Sequence, residues 1–216
     1  YPIGFATMLA QLQRAGYQVR IANLAARMVR SARFDPDAFI DKLDARAYGI
    51  DLHWLPHAHG ALEVARRVKV HQPEAPVILG GYSATYFHEE LIRLPHIDFV
   101  LRGDSTEGPL EQLMACITEG REPALVPNLT WKGRDGGVHV NPLTYVPETL
   151  DHLTLDYHEI VRSVVRRVDL HNTVPFSHWL EYPIMCDSPR ACNCCERGPG
   201  ISVTISGTFC ASIVAQ

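Results

Sequence analysis

Apolar side chains at Phe5, Met8, Leu9 and Leu12 repeat with a helical period and stop at Gly16. They predict an amphipathic helix over residues 4–16 with a glycine C-cap. The period then shortens to two: Val19 and Ile21 alternate with their neighbours inside "YQVRIANL", which predicts a short strand over residues 18–23. "FDPDAFIDKLDA" returns to helix, with Asp35 at the N-cap position and Pro36 at the first helical position. "AYGIDLHW" predicts the next strand, and "HGALEVARRVKVHQ" a helix that is apolar at Leu62, Ala65 and Val68 and basic on its other face. "APVILGG" is apolar without alternation, as expected of a strand covered on both faces. A helix over "ATYFHEELIRL", a strand over "IDFVLRGD" and a helix over "EGPLEQLMACITEG", ending at Gly120, follow. Strand and helix thus alternate through residue 120, which predicts an α/β domain built on a doubly wound parallel sheet.

The pattern changes after that point. "NLTWKGRDGGVHVNPL" has two short strands around Asp135-Gly136-Gly137, a hairpin signal. "VPETLDHLTLDYHEIV" reads as a proline-marked connector and "YHEIVRSVVRRV" as a short basic helix. Nothing repeats internally, and no segment is low in complexity.

Composition narrows the function. Apolar residues make up 46% and charged residues 20% of the 216 residues, enough to bury a core in a soluble domain. A formal charge of −4 and a pI near 6.3 give no reason to expect nucleic acid or an anionic membrane as partner. No apolar run approaches the ~20 residues of a membrane helix, and Tyr1-Pro2-Ile3-Gly4 has no secretory character. The chain begins without Met, which suggests a piece of a longer protein. Four of the six cysteines crowd between residues 186 and 195, unlike a secreted disulfide framework. A cytoplasmic setting is expected.

In an open parallel sheet, ligands bind outside the carboxyl ends of the strands. The loops there run from Asp51-Leu52-His53-Trp54 to Gly60, from Gly80 to Thr85, and over Gly103-Asp104-Ser105-Thr106-Glu107. Gly80-Gly81 can let backbone approach a bulky ligand, and Ser83 and Thr85 bring hydroxyls to the start of the next helix. A plain strand-to-helix turn explains the same glycines. His53, His57 and His59 could suggest a metal, but Pro56 interrupts them and no cysteine or acid follows at a compact spacing. Structural or ligand-lining histidines are the expected reading.

Taken together, "YPIGFATMLAQLQRAGYQVRIANLAARM", "GIDLHWLPHAHGALEVA", "VILGGYSATYFHEELI", "DFVLRGDSTEGPLEQLM" and "VPNLTWKGRDGGVHVNPL" resemble the N-terminal half of cobalamin-binding radical SAM proteins, over roughly residues 1–185. The resemblance implies a Rossmann-like, flavodoxin-like domain holding cobalamin above the strand ends. A hairpin and linker would then lead to a barrel that binds a [4Fe–4S] cluster and S-adenosylmethionine. It implies cofactor contacts from Leu52, His53 and Trp54, from Gly80, Gly81, Tyr82, Ser83, Ala84 and Thr85, and from Gly103, Asp104, Ser105, Thr106 and Glu107. The cobalamin tail would run past Gly80-Gly81. Asp51-Leu52-His53 is also similar to the Asp-x-His start of the cobalt-ligating loop in base-off carriers. Pro56 replaces the glycine which that loop needs, so His53 is not expected to ligate cobalt.

The sequence departs from that family at both ends. A first strand that should precede "YPIGF" is missing, so the strand at 18–23 and the strand at 47–53 lack their shared central neighbour. In the family a CxxxCxxC motif follows "WLEYPIM". Here Cys192 and Cys195 match its last two ligands, Ser188 stands where the first belongs, and Cys186 and Cys194 are out of place. Only 21 residues follow Cys195, far fewer than a barrel of ~200 residues requires. The expected organisation is a cobalamin domain over 1–122, a hairpin and linker over 123–185, and a degenerate, poorly ordered remnant over 186–216. Ile201 to Phe209 alternates like a half-exposed edge strand, so the tail is expected to leave the central gap open. The leading reading is a cobalamin-binding module without a complete active site. The alternatives are an enzyme fragment with a cluster on Cys192, Cys194 and Cys195, or a flavodoxin-like domain for another nucleotide-type cofactor.

Overall fold

Helix α1 (Ile3–Arg14) buries Phe5, Leu9 and Leu12, the face its period predicts. It ends where Gly16 takes φ +93° and Tyr17 N–H donates back to Leu12 O. The computed structural model of the chain describes residues 3–43, 45–149 and 211–215. Strand β1 (Val19–Asn23) follows, then α2 (Leu24–Arg30), a helix the periodicity did not predict. Helix α3 (Pro36–Asp41) starts as read: the Asp35 side chain accepts from the N–H groups of Asp37 and Ala38, with Pro36 at the first turn. Strand β2 (Ala47–Asp51), a short 3-10 turn (Leu55–His57), α4 (Ala58–His71) and β3 (Val77–Gly80) continue the alternation.

The single helix expected over "ATYFHEELIRL" starts earlier and is split into α5 (Tyr82–Tyr86) and α6 (His88–Leu91). Phe87, at φ −106° and ψ 26°, forms the break, and His88 Nδ1 lies 3.0 Å from Thr130 Oγ1 on a neighbouring strand. Strand β4 (Phe99–Leu101) and α7 (Glu107–Glu119) complete the wound unit, with Gly120 left-handed at φ +67° as the C-cap. The hairpin is β5 (Leu129–Lys132) and β6 (Val138–Val140), turned through Gly136 at φ +79°.

Strands β2, β3 and β4 pair in parallel. The hairpin extends this sheet antiparallel beside β4. The two faces bury separate cores. Helices α1 and α7 cover one, around Leu9, Leu12, Ile78, Leu113 and Met114. Residues of α3, α4 and α6 cover the other, around Ile40, Tyr48, Ala65, Leu79 and Ile92. That is the doubly wound arrangement, and β3 is covered on both faces as its unbroken apolar run requires.

The tail requires a correction. Strand β7 (Ala211–Ala215) lies between β1 and β2, antiparallel to both, in a seven-stranded order β1-β7-β2-β3-β4-β5-β6. The tail therefore enters, through Ala211–Ala215, the central gap that it was expected to leave open. Residues 201–209 lie outside the described residues, as do the basic helix expected over "YHEIVRSVVRRV" and all but the first four residues of the connector that begins at Val146. The inner edges of β1 and β2 each present a row of backbone N–H and C=O groups. Any strand-competent segment that satisfies both rows is favoured there. Deleting residues 211–216 should therefore lower stability by about 2 kcal/mol or more. A thermal melt reads this loss, and hydrogen exchange should show the amides of Val19–Asn23 opening before those of Val77–Gly80.

Candidate functional site

Strand alternation decides what the carboxyl end of the sheet presents to α1 and α7. On β2, Tyr48 and Ile50 enter the α3–α4 core while Ala47 packs on the opposite side. On β3, Val77 and Leu79 take the first side and Ile78 the second. Gly80 follows Ile78 onto the α1–α7 side two residues on. With no side chain there, the space between the sheet and the two helices stays unfilled. A cavity of about 420 Å³ results. Gly4, Phe5, Met8 and Leu12 of α1 and Leu110 and Met114 of α7 wall it. Gly49, Ile78, Gly80 and Leu101 line it from the sheet, and Asp51, His53, Trp54 and the 103–107 loop also border it.

The loops above it are locked to one another. Gly81 adopts φ +105°, and a Cβ there would lie 2.8 Å from Leu52 C and 2.9 Å from His53 N. The turn can approach the β2 loop only as glycine. Ser83 donates to His53 O from both its backbone N–H and its hydroxyl, at 3.2 and 3.0 Å, and Ala84 N–H donates to Leu52 O at 3.2 Å. Thr85 Oγ1 donates to Gly81 O and accepts from Gly103 N–H at 2.9 Å, tying in the third loop. In that loop Gly103 sits at φ +92° and Ser105 at φ +51°. Gly103 adopts this conformation without strain, whereas Ser105 does so at some cost.

The predicted contact residues therefore divide into two groups. His53, Trp54, Gly80, Gly81, Gly103, Asp104, Ser105, Thr106 and Glu107 line the cavity. Leu52, Ser83 and Ala84 are buried, and Thr85 is half-buried; their bonds hold the loops instead. Tyr82 is exposed, with its ring edge against His53 at 5.7 Å, while Trp54 meets the same imidazole edge-on at 5.1 Å. Phe5, Met8, Leu12, Leu110 and Met114 were missed as site residues. Their helical spacing reads as core-facing, and nothing in it separates a core wall from a cavity wall.

The cavity is apolar in depth and acidic at its edge. Among the described residues, Asp51, Asp104 and Glu107 border it and neither Lys nor Arg does. Burial raises the Asp51 carboxyl above its ordinary value, against a smaller lowering by His53 and His57. Among the described residues no group of three or more His, Cys, Asp or Glu side chains is placed to hold a metal ion. Cys192, Cys194 and Cys195 lie outside the described residues. No described helix is long and apolar enough to cross a membrane.

Residues 1–113 match the B12 binding domain family. The chain belongs to the B12-binding domain family. The cytidylyl-2-hydroxyethylphosphonate methyltransferase of Streptomyces wedmorensis is 24% identical over 160 residues, covering 66% of this chain and 29% of that protein. Two structures of TsrM, a radical S-adenosylmethionine methyltransferase from Kitasatospora setae, share the fold at 20% identity. The one with tryptophan and a SAM analog has a TM-score of 0.56 over 67% of this chain and 28% of that one. The one with cobalamin and a [4Fe-4S] cluster has a TM-score of 0.54 over 68% and 27%. The chain thus spans less than a third of the relatives it matches. The match agrees with the expected family and cofactor, and does not favour a domain for another nucleotide-type cofactor.

Two outcomes follow for the B12-binding domain. Gly81→Ala should destabilise it by about 2–3 kcal/mol, because the left-handed φ and the backbone contact both oppose a Cβ; chemical denaturation measures this. The raised Asp51 carboxyl favours the protonated folded form, so its ionisation removes stability as pH climbs from the ordinary 3.8 through the folded value. Asp51→Asn should raise the melting temperature at pH 7, with the gain shrinking to nothing below that window.

Proposed function

We propose that this domain is the cobalamin-holding module of a larger radical SAM methyltransferase. The nucleotide tail would enter the cavity between the sheet and helices α1 and α7. The corrin would lie over the loops carrying His53 and Trp54, Tyr82 to Thr85, and Gly103 to Glu107. The observation that carries the reading is the cavity itself, at the carboxyl ends of parallel strands, in a chain of the B12 binding domain family. Its chemistry fits the group. Apolar walls and the bare backbone of Gly49 and Gly80 suit a flat aromatic base. An edge that is acidic and, among the described residues, without Lys or Arg suits a cationic cobalt corrin, whose tail carries a single phosphodiester, better than the more highly charged phosphates of a nucleotide or flavin.

When bound, cobalamin supplies a cobalt centre that carries a methyl group for transfer. The chain's own residues bind and orient it. Ser83, Ala84 and Thr85 contribute by holding the loops in register, and Gly81 by letting them meet. His53 is held edge-on by Trp54 and Tyr82 and supplies platform surface in this reading rather than a bond to cobalt. The methyltransferase assignment draws on the similarity to two such enzymes. The proposed organisation places cobalamin on 1–122 and uses 123–185 as hairpin and linker. The substrate side of the reaction would belong to the remainder of the larger protein, in the cytosol.

Gly80 gives the test. A Cβ there would meet only Leu101 O, at 4.0 Å, so Gly80→Leu fills the cavity without straining the backbone. Hydroxocobalamin titrated into the parent chain should give a base-off spectrum. The variant should keep or gain stability, since glycine weakens a strand, while its affinity falls at least about tenfold, or about 1.4 kcal/mol. A leucine variant that binds as the parent does would remove the tail from this cavity.

A further inference from the structure

Glu107 opens α7 and is only 3% exposed. One carboxylate oxygen, Oε1, lies 2.5 Å from the Thr7 hydroxyl of α1. The other, Oε2, is buried with no hydrogen-bond partner among the described residues, and the residue borders the cavity. One turn along the same interface, Gln11 donates to Glu111 Oε2 at 2.5 Å. The two rungs, 7 to 107 and 11 to 111, follow from the four-residue spacing on both helices. Packing α1 on α7 thus accounts for Glu111, and for one oxygen of Glu107.

The second oxygen needs another explanation. A buried carboxylate oxygen without a donor destabilises the chain that contains it. No Lys, Arg or His pairs with Glu107 among the described residues, and the Thr7 hydroxyl does not need it, since Gly4 O lies 2.9 Å away as an alternative acceptor. A ligand in the cavity would meet a fixed acceptor beneath largely apolar walls. An anionic group there would be repelled, and a full positive charge would be costly to bury among the apolar walls, so the matching group is an uncharged N–H or O–H donor.

We propose that Glu107 Oε2 is a positioning acceptor for a neutral donor of the bound corrinoid. That donor is either a primary carboxamide on the ring or a hydroxyl of the nucleotide tail. The assignment rests on the cobalamin reading and adds what orients the cofactor inside the cavity. It also predicts that the free domain carries an unmet hydrogen-bonding demand which the ligand satisfies.

The experiment compares the parent chain, Glu107→Leu and Glu107→Gln by absorbance titration with hydroxocobalamin and with aquacobinamide, which lacks the nucleotide tail, alongside thermal melts of the free proteins. Glu107→Leu should melt at or above the parent temperature, because Thr7 retains Gly4 O, while losing at least about tenfold in cobalamin affinity. Glu107→Gln keeps an acceptor oxygen and should lose less, so it serves if the leucine variant folds poorly. A loss seen with both corrinoids assigns the donor to a ring carboxamide, and a loss confined to cobalamin assigns it to the tail. Affinities of both variants within twofold of the parent would overturn the role of Glu107 and leave the cobalamin reading standing. A parent chain that binds neither corrinoid would overturn the cobalamin reading, and this assignment with it.

Discussion

The carboxyl end of this sheet depends on one contact: Gly81 lies against the backbone of Leu52 and His53, closer than any Cβ would allow. From it follow the bonds of Ser83 and Ala84 to the same loop and, through Thr85, the bond to Gly103. Three connections that leave different strands are thereby held as one rim. A rim of this kind is pre-organised, so a ligand seated on it need not order the loops at binding. The left-handed Ser105 within it fits the same picture, since surrounding bonds must hold a residue in that conformation.

Beneath the rim, the cavity exists because two glycines fall on the face that α1 and α7 cover. Larger side chains at Gly49 and Gly80 would extend into it. The helices themselves stay apart through ordinary apolar packing and two polar rungs, Thr7 with Glu107 and Gln11 with Glu111. One face of the sheet therefore serves two purposes. Deeper along the strands it is core, around Leu9, Leu113 and Leu129. Toward the carboxyl ends it becomes a lined space with acidic residues at its edge.

The middle of the sheet follows a different rule. Strands β1 and β2 both need a partner between them, and the antiparallel β7 provides it from the far end of the chain. Parallel order on one side and antiparallel insertion on the other coexist because backbone pairing is satisfied either way. The cavity is lined in part by Ala47 and Gly49 of β2. The stability of that strand, and so of the site floor, is coupled to a segment more than a hundred and fifty residues away in sequence.

Local physics made much of this legible from residues alone. The Asp35 cap, the Gly16 and Gly120 helix ends, the hairpin turn and the alternation of strand and helix are set by short-range bonding and side-chain period, and they stand as read. The loops that form the rim could be named because a parallel sheet always presents its carboxyl ends together. Tertiary structure decided the rest. Whether Gly80 and Gly81 play the same part depends on what lies opposite each one: open space for Gly80 and a neighbouring backbone for Gly81. Whether Phe5 and Met8 touch core or cavity depends on the glycines of distant strands. Ser83 and Thr85 face the neighbouring loops rather than the cavity because those loops offer buried partners within bonding distance. The tail enters the sheet because two strand edges have an unmet need for backbone partners, a need that no pattern within the tail can express.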